Sequence, residues 1–138
     1  MRFKEWYCGH YFRTMAQVYG ASPFAEEADY MGAYCYYMTS PRPELDQENT
    51  VQAIQAFQLH LIKYPDSKRA ITSLFLKAFT LDNDLHQFEE AGQYYRLFLE
   101  KYPNNEFAES AQFLLENLGK SEEELKNMLM ENAEKNVQ

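Results

Sequence analysis

One pattern in this chain constrains its fold more than any other: the same short string of residues recurs at helical spacing, each time the same distance from a turn. Cys8-Gly9-His10-Tyr11-Phe12-Arg13 returns as Ala91-Gly92-Gln93-Tyr94-Tyr95-Arg96, and Ala53 to Gln58 occupies the same place between them. Twelve residues after the first position of each string comes a turn residue: Gly20, Pro65 and Pro103. After the first and third turns an opening recurs as well, Phe24-Ala25-Glu26-Glu27-Ala28 and then Phe107-Ala108-Glu109-Ser110-Ala111. A recurring unit of this size is a supersecondary element that cannot bury its apolar face alone and must stack on its neighbours.

The units are helical. In the middle segment Val51, Ile54, Phe57, Leu61 and Ile62 recur at three- and four-residue steps, the period of one helix face. Before it, Ser40-Pro41-Arg42-Pro43 stops any helix, because each ring removes a backbone donor and disfavours the α region for the residue ahead of it. Asp46 is the candidate N-cap for the helix that follows. Small Ala53, aromatic Phe57 and terminal Pro65 match the back half of a tetratricopeptide (TPR) repeat. The turns lie 45 and 38 residues apart, against about 34 in the standard repeat, and the SPRPELDQ insertion lengthens the first interval. The expected fold is therefore all-α: a TPR-like α-solenoid of antiparallel helix pairs with a C-terminal capping helix, forming a single domain over residues 1–138. An unpaired B-type helix spans about Phe3 to Tyr19 within segment 1–20. A repeat with an enlarged turn follows at 24–66, with helices Phe24 to Met38 and Gln47 to Tyr64. The next repeat, 67–104, has helices Lys68 to Leu81 and His86 to Tyr102. Capping helices fill 105–138: Glu106 to Leu118, ending at Gly119, and a charged helix opened by the Ser121–Glu124 capping box and running to about Lys135.

Composition narrows the function classes. The net charge of −8 gives no electrostatic support for binding nucleic acid or an anionic membrane. No apolar run approaches the eighteen or so residues of a membrane span. The opening MRFKEWYCGHYF has basic residues but then Glu5, Gly9 and His10, which is not the pattern of a signal peptide. The chain as it stands is therefore expected to stay, soluble, in the compartment where it is made. Cys8 and Cys35 fall where the repeat has a small residue, which favours two buried thiols in alanine-sized gaps. A disulfide between adjacent helices is the alternative in an oxidising compartment.

Catalytic constellations are missing. His10, His60 and His86 sit in different segments with no carboxylate or cysteine at metal-ligand spacing. His60 takes the core-side position held by Met15 and Phe98 in the sister repeats, so a packed, hydrogen-bonded histidine is expected. The acidic clusters Glu26-Glu27, Glu89-Glu90 and Glu122-Glu123-Glu124 begin or flank helices, where the dipole favours them. No metal, no cofactor and no enzymatic activity are expected. What remains is surface shape. Aligning Ala33 with Ala78 at the close-packing position puts Tyr30, Tyr34 and Tyr37 of one repeat, and Phe75 and Phe79 of the next, toward a concave groove. For the two phenylalanines an interhelical core position is equally compatible. Such a groove takes an extended peptide or a helix through aromatic contacts, and eleven tyrosines against one tryptophan supply phenol edges for it. The unpaired first helix also leaves an open face on which a second copy of the chain can stack.

The segment AEEADYMGAYCYYMTSPRPELDQENTVQAIQAFQLHLIKYPDS resembles the BamD family of TPR lipoproteins of the outer-membrane β-barrel assembly machinery, in its Bacteroidota form. The likeness runs from about Trp6 to Ala70. The second half, ending FAESAQFLLENLGKSEEEL, resembles a different Bacteroidota TPR protein. The first resemblance implies a non-catalytic scaffold at the periplasmic face of the outer membrane. Its partners would be the periplasmic domains of the barrel-forming subunit and unfolded barrel substrates. The alternative is a TPR adaptor, in the cell envelope or cytoplasm, with another peptide client.

Overall fold

The computed structural model describes residues 2–38 and 47–137, with side chains from Cys8 in the first segment and Glu48 in the second. Among these residues there are seven helices and no strand. They are α1 (Arg2–Val18), α2 (Ala25–Met38), α3 (Gln47–Lys63), α4 (Lys68–Asn83), α5 (Phe88–Lys101), α6 (Ala108–Glu116) and α7 (Glu122–Val137). The expected spans match these closely, because local signals set them. Ser67 caps α4 by accepting from the Arg69 amide (3.1 Å). Ser121 and Glu124 close their capping box reciprocally: the Ser121 amide donates to Glu124 Oε2 (2.6 Å), and the Glu124 amide donates to Ser121 Oγ (3.2 Å). Gly119, past the end of α6, takes the left-handed conformation (φ 78°) that glycine adopts without penalty. The greater part of the SPRPELDQ insertion, with Asp46 as N-cap, lies outside the described residues.

From α1 to α6 each helix packs on the next, and α2 also touches α4. The close approaches are made by small residues. Ala33, Ala53, Ala78, Ala91 and Ala111 are all fully buried. At the α1–α2 crossing, a Cβ on Gly9 would sit 2.8 Å from the buried Tyr36 ring, and one on Gly32 would sit 3.1 Å from Arg13 Cγ. At Gly9 a side chain would displace the Tyr36 ring, and at Gly32 the Arg13 side chain would have to give by a few tenths of an ångström. One apolar cluster gathers Ala33, Tyr36, Ala53, Ala56 and Phe57 from α2 and α3. A larger one joins α4, α5 and α6 around Leu74, Leu81, Tyr95 and Phe98. Enlarging Ala53 or Ala91 to leucine is expected to overpack these seams and cost about 1–3 kcal/mol each. Denaturant melts of the two variants check this, and wild-type midpoints for both would mean the register is wrong.

The side-chain contacts repeat along with the sequence. Tyr30 stacks on Tyr34 (6.2 Å) as Phe75 stacks on Phe79 (6.4 Å). Tyr30 meets His60 (5.7 Å) as Phe75 meets Phe98 (5.7 Å). His60 meets Tyr64 (5.6 Å) as Phe98 meets Tyr102 (5.5 Å).

Two expectations need amendment. Cys8 and Cys35 are not free thiols: they form a disulfide between α1 and α2, with Cα atoms 5.9 Å apart. The glycine-lined crossing one residue from Cys8 draws the two helices close enough for the bond. The last helix, α7, covers little: it buries none of its residues, and Leu129 and Met130 face solvent. Its apolar residues Leu125, Met128 and Leu129 share one face, of which only the first two are half-buried.

Candidate aromatic binding face

Tyr30, Tyr34 and Tyr37 follow one another at four- and three-residue steps, so their rings form one row along α2. The row runs from Tyr30 over Tyr34 to Tyr37, with centroids 6.2 and 5.9 Å apart. Its ends are anchored inward, Tyr30 against His60 and Tyr37 edge-on to Phe57 (6.4 Å). Only the middle ring, Tyr34, is exposed, at 36%. Burial pushes the Tyr30 and Tyr37 phenols above their ordinary range, reinforced by Tyr34 at the first and by Asp84 at the second. Both stay protonated at neutral pH and keep an O–H to donate.

The two phenylalanines separate. Phe75 is interhelical, with its ring against Tyr95 (6.4 Å), Phe98 (5.7 Å) and Phe107 (5.1 Å). Phe79 stacks on its outer side and lines an open cavity of about 480 Å³ between α4, the start of α5, and the α6–α7 turn. Asp82, His86, Phe88, Leu114 and Lys120 complete its principal walls. Burial raises the Asp82 carboxyl above the ordinary aspartate range, although the Tyr95 hydroxyl donates to its Oδ2 (3.1 Å). His86 holds a left-handed backbone (φ 54°), uncommon for a residue other than glycine. Sequence reasoning passed over this cavity. The one local signal was the polar string Asp82-Asn83-Asp84 after an apolar helix; the walls come from four different elements.

Behind the tyrosine row lies a polar core. His60 is fully buried; its Nε2 donates to Glu26 Oε1 (2.8 Å), so in the neutral ring Nδ1 accepts from the Ser73 hydroxyl (2.9 Å). The Ser67 hydroxyl also donates to Glu26 Oε1 (2.5 Å), and Arg69 Nη1 donates to Oε2 (2.8 Å). Serine, histidine and glutamate in series have the composition of a nucleophilic relay. Here Ser73 is sealed inside the helix packing with no path for a substrate. The network's evident work is to tie α2, α3 and α4 together. Nearby Lys77, also buried, rests its ammonium over the Tyr94 ring (3.8 Å) and donates to Gln58 Oε1.

Burial acts on Glu26 to raise its pKa. The Ser67 and His60 hydrogen bonds and the Arg69 charge outweigh that and hold it below the ordinary value of 4.5. A carboxylate with a depressed folded pKa contributes stability that is complete above its unfolded pKa and is lost as pH falls through the folded one. Wild type should therefore out-melt Glu26→Gln at neutral pH, with the gap closing below about pH 4.5. Thermal melts across that range check it; a gap that widened in acid would reverse the sign.

Among the described residues, no three of His, Cys, Asp and Glu gather as for a metal ion. Nor is any helix there long and apolar enough to cross a membrane. No protein-family model matches the chain, and no curated protein matches it either.

Proposed function

We propose that this chain is a non-catalytic, TPR-like helical scaffold that binds a segment of another protein along the aromatic face of α2 and α4. The observation that carries the proposal is the tyrosine row, two anchored phenols flanking the exposed ring of Tyr34. A rigid apolar body with one hydrogen-bonding end is a frequent hot-spot anchor, and its neighbours pre-organise it. The recurrence of ring contacts between the two helix pairs supports the repeat reading. The resemblance of Trp6 to Ala70 to the BamD family makes β-barrel assembly the favoured setting. Its clients there are the periplasmic domains of the barrel-forming subunit or barrel substrates. A disulfide persists in an oxidising compartment, which supports a periplasmic location.

Tyr34→Ala is expected to weaken partner binding by about 2 kcal/mol. Its melting point should hold, because removing an exposed ring leaves no internal cavity. The experiment titrates wild type and variant against barrel-assembly domains and barrel C-terminal peptides, and records melts of both. A large melting drop with unchanged affinity would place Tyr34 in the core. Absence of binding by the wild type would remove the assembly setting and leave an adaptor for another client.

A further inference from the structure

The α5–α6 unit and the α1–α2 unit are copies of one another at a constant offset of 83 residues, maintained across the turn. Cys8, Gly9, Phe12, Met15, Tyr19, Phe24, Ala25 and Ala28 correspond to Ala91, Gly92, Tyr95, Phe98, Tyr102, Phe107, Ala108 and Ala111. Burial agrees where each unit closes on itself: Ala25 and Ala28 are buried, like Ala108 and Ala111. It disagrees on one side. In the second copy α4 lies along the unit and seats the Phe75 ring against Tyr95, Phe98 and Phe107. Their three counterparts, Phe12, Met15 and Phe24, line an open, almost wholly apolar groove of about 250 Å³. Among the described residues nothing covers it: Phe24 is 70% exposed and Tyr19 63%, whereas Phe107 and Tyr102 are half-buried.

We propose that this groove is a docking seat for an amphipathic helix of a partner polypeptide, whose aromatic side chain takes the place that Phe75 takes in the other copy. The chemistry of the occupant follows from α4. Beside Phe75 it presents Leu74, Ala78 and Leu81, all buried, so the docking helix carries a ring, a small residue three positions on, and leucine-like residues on either side.

A second copy of this chain stacking head-to-tail does not meet that requirement. Its terminal helix of the same kind is α6, one 38-residue interval beyond α4. Phe113 keeps the ring there, but Leu74, Ala78 and Leu81 are replaced by exposed Gln112, Glu116 and Gly119. The matching face of α6 is thus polar where the groove on α1 and α2 is apolar. A partner's helix is the occupant that fits.

The probe is a synthetic peptide of residues 66–84 of this chain, the α4 sequence with its cap, titrated into the full chain. Saturable binding at micromolar concentration is expected. It should weaken about tenfold with Phe75→Ala in the peptide, and equally with Phe24→Ala in the chain. Phe24→Ala should melt with the wild type, because the ring it removes is mostly in solvent. Absence of saturable binding overturns the proposal. Binding indifferent to Phe24→Ala overturns it too, because the peptide would then be displacing α4 from its own seat. A free chain that sediments as a dimer and dissociates on Phe24→Ala also overturns it, since a second copy would then fill the groove.

Discussion

Replacing His60 with phenylalanine, the residue at the matching position of the next repeat, is expected to cost about 2–4 kcal/mol, although the new ring has the right size for its site. The loss comes from the partners. Ser73 is fully buried and Glu26 mostly so, and each loses its bond to the imidazole. Ser73, buried and left without that partner, costs about 1–3 kcal/mol, and Glu26, which keeps Ser67 and Arg69, adds the loss of one charge-assisted bond. For a chain of this size the melting point should fall by roughly 10 °C. The decisive control makes the other positions match as well: Glu26→Ile and Ser73→Ala install the residues of Ile71 and Ala111, their register counterparts. The triple variant should recover most of the lost stability, because replacing a whole polar network by apolar groups of matching shape is close to neutral. Arg69, released from Glu26, is 42% exposed and turns to water. A single variant that melts with the wild type would show that the network holds nothing together. A triple variant no better than the single would put the loss in ring packing.

Breaking the Cys8–Cys35 bond should have an effect of similar size. The bond closes a loop of 27 residues, which in the chain-entropy account is worth about 3–4 kcal/mol. Alanine stands at the position matching Cys8 in both sister repeats, Ala53 and Ala91, so a Cys8→Ala, Cys35→Ala double variant packs without steric penalty and isolates the cross-link. Its melt should coincide with that of the reduced wild type, well below that of the oxidised protein. Coincidence of all three, with free thiols by mass, would mean that the sulfurs do not pair in solution.

The sequence determined everything that depends on neighbours within a turn or two. Helix limits at Lys68, Gln47 and Met38, the Ser121–Glu124 box, the glycine after α6 and the repeat register were all legible there. Caps and periodic apolar faces act over three or four residues, and a repeat announces itself by identity of residue and spacing. The sequence likewise put His60 inside, because its register counterparts are Met15 and Phe98. Only the tertiary structure decided what each side chain meets. His60 finds Glu26 34 residues away, and Cys8 finds Cys35 across a crossing that two glycines permit. Phe75 and Phe79, adjacent on one face and alike in sequence, part company because Phe107 arrives from α6 to cover only the first. The unpaired first helix made an open face legible in the sequence, but the groove that Phe24 completes there was not, for the same reason. The string Phe-Ala-x-x-Ala reads alike in both copies, and whether a third helix lies across it is a fact about distant chain.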